Sequence, residues 1–118
     1  DNDPDWLADG RIVFKTDRFS TQPEVRIAVM DDDGTDVQQL SFVAGVSDHD
    51  CVGAGEAVLF ERFLKGTDYT SDVEAGFTPW DLVLAPLDLS GERTLLHDPW
   101  INWLPVTDPS GRWVAHVK

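Results

Sequence analysis

Short apolar runs recur along this chain and are separated by polar segments that contain glycine. Examples lie at 12–14, 25–30, 57–60 and 82–87. Their apolar positions fit the two-residue period of a strand, and the Gly-centred turns between them favour antiparallel hairpins. No window has a sustained 3.6-residue apolar period with helix caps. The pattern therefore predicts an all-β fold with almost no helix.

Two sequence blocks recur in the same order. The first is DPDWLADGRIVF at 3–14, which returns in degraded form at 48–60 and 105–117. The second covers 25–34 and aligns without a gap on 82–91. Two motifs that recur at matched spacing over nearly the whole chain indicate a repeat protein.

The period of the repeat suggests its architecture. Taking Pro4, His49 and Pro105 as equivalent gives periods of 45 and 56 residues. These values are in or just above the range of one four-stranded propeller blade. We expect one repeat domain over residues 1–118, with units at about 3–42, 47–97 and, in part, 102–118.

The first unit resembles the WD-like repeats of TolB-type β-propellers. Those repeats carry Pro-x-Trp-Ser-Pro-Asp-Gly-x-x-Ile-Ala-Phe and then a Tyr-Val-Met-Asn-x-Asp-Gly turn. DPDWLADGRIVF and IAVMDDDGTDVQQL fit the two motifs nearly throughout. The second unit departs by placing Cys51 in the tryptophan slot, and the third has Thr107 there. The resemblance implies four-stranded antiparallel blades, about two and a half of them in this chain.

Two and a half blades make an incomplete propeller. Propellers close with about four to eight blades, and an open stack would leave sheet edges and apolar faces uncovered. We expect either a missing remainder of the propeller or a homo-oligomer whose copies complete one another. The absence of an initiator Met and the stop at Lys118 in mid-blade favour a fragment.

The net charge of the chain limits the classes of partner that it is expected to bind. There are 22 acidic and nine basic residues, giving a net charge of −13. Nucleic acid and anionic membranes attract positive surfaces, so we expect no nucleic-acid partner. The longest apolar runs span only a few residues, so we expect no membrane insertion. A protein or carbohydrate ligand is compatible with this composition, as is a cationic partner.

The longest departure from the repeat is the polar segment 65–79, which joins two predicted strands of the second unit. Loops of this length in a compact domain are commonly functional or disordered. A ligand- or partner-contacting loop would use Asp68, Tyr69 and Asp72. The alternative is a tolerated insertion.

Asp48-His49-Asp50 is the most chemically suggestive cluster. An imidazole between two carboxylates is able to bind a divalent cation, Ca²⁺ or Mn²⁺, or to shuttle protons. On an extended strand, however, alternate side chains point to opposite sides, so His49 is expected to face away from both neighbours. Ordinary loop contacts are the alternative, and the favoured expectation is no cofactor.

Asp31 and Asp33 are a second possible set of cation ligands. They lie in Met30-Asp31-Asp32-Asp33-Gly34, which resembles a calcium loop at first sight. Such a loop needs an oxygen ligand where Val29 stands and a bidentate Glu six residues after Gly34, and both are missing. A hairpin turn with Gly34 at positive φ is the favoured interpretation.

The tryptophans and the cysteine divide into packing and contact residues. Trp6 and Trp113 fall inside repeated strand blocks and are expected to pack between sheets. Cys51 occupies a packing slot and is expected to be an inert buried thiol. The remaining tryptophans lie at strand starts or in a connector, where exposed rings stack on sugars: Trp80, Trp100 and Trp103.

The favoured function is a non-catalytic binding or interaction module, placed by the family resemblance in the periplasm or outside the cell. No nucleophile elbow, phosphate loop, dinucleotide fingerprint or His-Glu-x-x-His motif occurs. The alternative from the resemblance is a fragment of a propeller enzyme, related to oligogalacturonate lyases or to peptidase-associated propellers, using a metal near His49. Fold alone does not decide between them.

Overall fold

A computed structural model describes residues 1–20, 24–64 and 80–118. These residues contain no helix, which confirms the expectation of an all-β fold. The strands are β1 Asn2–Trp6, β2 Ile12–Thr16, β3 Arg26–Met30, β4 Gln38–Gln39, β5 Val46–Ala54, β6 Ala57–Leu64, β7 Asp81–Pro86, β8 Arg93–Leu96, β9 Trp103–Thr107 and β10 Val114–Val117.

The strands form three antiparallel meanders. The first sheet has the order β1-β2-β3-β4, the second β5-β6-β7-β8, and the third contains β9 and β10. Every neighbouring pair within a sheet is antiparallel and consecutive in the chain. Four-stranded antiparallel sheets are therefore confirmed for the first two units, while the propeller arrangement itself stays a prediction.

The main core lies between the first two sheets. One cluster joins apolar side chains of β2 and β3 to those of β6 and β7, including Val13, Ile27, Phe60 and Val83, none of which is exposed. Strand β6 is buried on both faces, as its nearly continuous apolar sequence predicts. This burial of both faces decides the environment of every polar residue on β6.

The first strand of each sheet carries the same irregularity. The pairing register shifts around Asp3 in β1, Asp50 in β5 and Leu104 in β9. These three residues have left-handed φ angles of 48°, 38° and 48°. A bulge bends its strand and redirects a side chain. Because β5 packs between β1 and β9, the three bulges lie on neighbouring strands.

These bulges correct the sequence alignment of the second unit. A glycine with positive φ follows seven residues after Asp3 and seven after Leu104, but five after Asp50. The second unit reaches its glycine sooner because β5 and β6 are joined by only Gly55 and Glu56. The structural equivalent of Asp3 is therefore Asp50, two residues beyond the position that the sequence alignment assigned.

The expectation that Trp6 and Trp113 pack between sheets is wrong. Their side chains are 64% and 70% exposed. Leu7, only 5% exposed, fills the contact between the first two sheets instead. Its Cδ2 lies 3.2 Å from the position that a Cβ on Gly53 would occupy. The small Gly53 thus admits Leu7, and the neighbouring tryptophan is left at the surface.

The β9–β10 turn docks against the β5–β6 turn through Gly111. A Cβ on Gly111 would lie 2.6 Å from the carbonyl carbon of Ala54, and its φ is 69°. We expect Gly111→Ala to lower the free energy of unfolding by roughly 2 to 3 kcal/mol, since it combines backbone strain with a clash. Gly10→Ala is the matched control, with φ of 90° and no atom within 4 Å; it should lose only about 1 kcal/mol. Urea unfolding of both variants measures the difference, and equal losses would contradict this docking.

Candidate functional site

Asp48 lies apart from the other two members of the predicted cluster. Its carboxylate is fully buried and accepts hydrogen bonds from Arg62 Nε at 2.7 Å and Arg62 Nη2 at 3.0 Å. Arg62 also pairs with Glu92. Burial raises the pKa of Asp48, and Arg62 opposes the rise. Asp48 therefore has a structural partner and is not available to a ligand.

A bulge in β5 turns Asp50 to the side of His49. The register of β5 with β6 shifts between His49 and Val52. Lys15 Nζ lies 3.4 Å from His49 Nδ1 and 3.6 Å from Asp50 Oδ1. The prediction that His49 faces away from both neighbours is right for Asp48 and wrong for Asp50, because strict alternation holds only in a regular strand.

Glu61 on β6 is the residue that the sequence analysis missed. It pairs in register with His49, and its side chain is fully buried. The backbone N–H of Leu104 donates a hydrogen bond to Oε1, whereas Oε2 has no hydrogen-bond partner among the described residues. The pKa of Glu61 is raised to about 8: burial is the main cause, the charge and side chain of nearby Asp50 add to the rise, and the Leu104 N–H and the charge of Lys15 oppose it. The carboxyl group is therefore mainly protonated at neutral pH.

His49 begins a row of aromatic rings. Its ring centroid lies 4.5 Å from that of Phe63, which stacks on Trp80 at 5.0 Å. Trp80 in turn meets Trp103 edge to face at 6.4 Å. The pKa of His49 is lowered to about 4, mainly by burial and in part by the charge of Lys15. The imidazole is thus neutral at physiological pH and behaves as part of the aromatic wall.

These groups surround a cavity of about 310 Å³. That volume is at the small end of the range for ligand pockets. Aromatic walls with a few converging polar groups are the usual composition of such a pocket. The lining consists of Lys15, His49, Asp50, Glu61, Trp80, Trp103 and Leu104.

Only one of the three tryptophans proposed for ligand contact is both accessible and in the cavity. Trp80 is 2% exposed, so its expected place at the surface is wrong. Asn102 Nδ2 donates to the Trp80 carbonyl at 3.1 Å and holds it in place. Trp100 is 59% exposed but does not line this cavity, and Lys118 lies over its ring. Trp103 is half-buried and forms one wall.

The Asp31–Gly34 segment is a hairpin turn, as favoured. The N–H of Gly34 donates to the Asp31 carbonyl at 3.0 Å, and Gly34 has φ of 85°. Asp33 Oδ1 accepts hydrogen bonds from the backbone and the hydroxyl of Thr35. Within residues 1–20, 24–64 and 80–118, no three His, Cys, Asp or Glu side chains form a group that could hold a metal ion. The alternative ligand set of His49, Asp31 and Asp33 is therefore not brought together.

Three further candidates fall elsewhere in the chain. Asp68, Tyr69 and Asp72 lie outside the described residues.

Cys51 is 3% exposed, and burial raises its pKa to about 12, which confirms an inert thiol.

The sequence contains a signal for Glu61 that the apolar pattern alone does not use. This residue stands inside the apolar run Val58-Leu59-Phe60-Glu61-Arg62-Phe63. An ionisable residue within a strand that is apolar on both faces must be paired, protonated or functional. Lys15 had no comparable signal, because a lysine at the end of a short strand is ordinary.

Comparisons with known proteins add no family to this geometry. No protein-family model matches the chain, and no curated protein is significantly similar to it. In the described part of the chain, no helix is long and apolar enough to cross a membrane. The functional argument therefore depends on the site itself.

Proposed function

We propose that this chain is a non-catalytic binding module of the TolB-like propeller type, which holds a small ligand in the cavity beside Glu61. The observation that carries the proposal is the buried Glu61 carboxyl: its Oε2 has no hydrogen-bond partner in the described residues, and its side chain lines a cavity of about 310 Å³. A buried polar atom without a hydrogen bond is costly, and a ligand atom would remove that cost.

The placement of the strands supports the propeller part of the proposal. The first strand of each sheet packs beside the first strand of the next, β1 against β5 and β5 against β9. Each of these strands has its bulge at the corresponding position. Repeated antiparallel units that pack in sequence, inner strand beside inner strand, are the arrangement expected of successive blades.

The bulges at Asp3, Asp50 and Leu104 also support a binding site in this part of the molecule. They bring Asp3 and Asp50 to Lys15, which forms ion pairs with both. In β9, the bulge at Leu104 presents the N–H of that residue to Glu61. Binding sites are often built where irregular backbone redirects side chains on a rigid framework.

A cavity-blocking variant tests the proposal. We expect Leu104→Trp to abolish ligand binding, because Leu104 lines the cavity, is 50% exposed and already has φ of 48°. Leu89→Trp is the matched control, since Leu89 is 53% exposed with φ of 61° and lines a different depression. Binding is measured by the NMR shifts of Trp103 and His49 with four probes: butylammonium, 1-butanol, butyrate and glucose. The proposal is wrong if no probe shifts these resonances, or if Leu104→Trp binds as well as Leu89→Trp.

A further inference from the structure

The charges around the cavity determine which ligand it can accept. Lys15 extends from β2 and forms ion pairs with Asp3 of β1 and Asp50 of β5. One positive charge therefore faces two carboxylates before Glu61 is counted. His49 contributes no charge at neutral pH, since its pKa is lowered to about 4. Strands β6 and β9 add Glu61 and the uncharged Trp103 and Leu104.

Glu61 is difficult to ionise in this surrounding, and its pKa is raised to about 8. Its side chain is fully buried, and Asp50 is near enough to disfavour a second negative charge. The charge of Lys15 favours ionised Glu61, but its ammonium is shared with Asp3 and Asp50, and the pKa of Glu61 stays raised. A cation placed in the cavity would offset the excess of carboxylates around Glu61.

The walls also suit a cation. Trp80 and Trp103 line the cavity together with the carboxyl-bearing side chains of Asp50 and Glu61. Aromatic faces attract organic cations, most strongly when water is excluded. The net charge of −13 further raises the local concentration of cations around the protein. A neutral polyol would use the hydrogen-bonding groups but would not relieve the charge imbalance.

We propose that the cavity binds a small organic ammonium ion, which replaces the proton of Glu61. This inference depends on the proposed ligand-binding function and names the ligand class. On binding, the ammonium N–H donates to the Glu61 carboxylate, and the proton that Glu61 held passes to solvent. The aliphatic or aromatic part of the ligand then lies against Trp103.

Butylammonium chloride is the probe, with 1-butanol as its uncharged counterpart. Like a lysine side chain, butylammonium stays protonated through pH 9. If only ionised Glu61 accepts it, the apparent Kd should tighten about 90-fold between pH 6 and pH 9, given a pKa of about 8. The midpoint of the Glu61 carboxyl ¹³C titration should move to lower pH when the probe is present.

Two variants separate this local effect from the charge of the whole protein. Glu61→Gln should remove the pH dependence of butylammonium binding. Glu56→Gln should retain it, because Glu56 is exposed in the β5–β6 turn and outside this cavity. The two variants have the same net charge at pH 9, where Glu61 is mainly ionised, and at pH 6 Glu56→Gln is one unit less negative.

The outcomes distinguish this inference from the function on which it depends. Tightening with pH in wild type and Glu56→Gln, together with its loss in Glu61→Gln, would support the ammonium site. Binding of 1-butanol, butyrate or glucose in place of butylammonium would overturn the ammonium site and leave the binding module standing. Binding of butylammonium with no pH dependence would likewise overturn the ammonium site and leave the binding module standing. Failure of all four probes would overturn both proposals.

Discussion

Replacing Glu61 with Gln is expected to raise the free energy of unfolding by about 5 kcal/mol at pH 9 and by only about 1 kcal/mol at pH 5. The folded-state pKa of about 8 lies above the ordinary value of 4.5. Between these values the unfolded chain has released the proton and the folded chain has not. The unfolded state thus binds fewer protons, so the stability of the wild type falls as pH rises through this window.

The amide should reproduce the neutral acid. Its carbonyl oxygen can accept from the N–H of Leu104 as Oε1 does, and it cannot ionise. Urea unfolding of wild type and Glu61→Gln at pH 5, 7 and 9 gives the comparison. His49, whose pKa is lowered to about 4, contributes to the pH dependence of both proteins and largely cancels in the difference. A constant difference across these pH values would show that Glu61 does not titrate there.

Arg62→Met is expected to destabilise the protein by about 3 to 5 kcal/mol at pH 7. The substitution keeps an apolar stem that can pack near Phe60 but removes both hydrogen bonds to Asp48. Asp48 is fully buried, so its charge would remain without compensation. Removing one member of a buried ion pair costs far more than removing an exposed charge, because the partner cannot be resolvated.

Two further measurements identify the cause of that loss. The double variant Arg62→Met with Asp48→Asn should recover a large part of the stability, since it removes the buried charge. Without Arg62 the pKa of Asp48 should rise further, so the loss should be smaller at pH 4 than at pH 7. Arg93→Met, at an exposed position, is the control for the change in net charge. If Arg62→Met and Arg93→Met lose equal stability, the buried pair does not matter.

Period and turn chemistry made the strands predictable. Strands β2 and β3 and the Asp-Gly turn at Gly34 depend on local features, and the structure has them. Each of these inferences needs only the residue and its near neighbours in the chain.

The candidate site was predictable only in part. His49 and Asp50, two members of the suggested cluster, line the cavity. Asp48, the third member, does not line it and instead pairs with Arg62. Trp103 lines it and is half-buried, whereas Trp80 lines it but is only 2% exposed. Alternation along a strand could not foresee the bulge at Asp50, since a bulge depends on pairing with β6 and not on residue type alone.

The sequence by itself determined the all-β character, the repeated antiparallel units and the main turns, because hydrophobic period and glycine placement act over a few residues. Only the tertiary structure decided that Leu7 and not Trp6 enters the core, and that Glu61, Lys15 and Asp50 converge. These outcomes depend on residues from different strands competing for the same space and the same charge. Burial and electrostatic coupling are properties of that assembled surrounding, so the raised pKa of Glu61 could not be assigned before the strands were placed together.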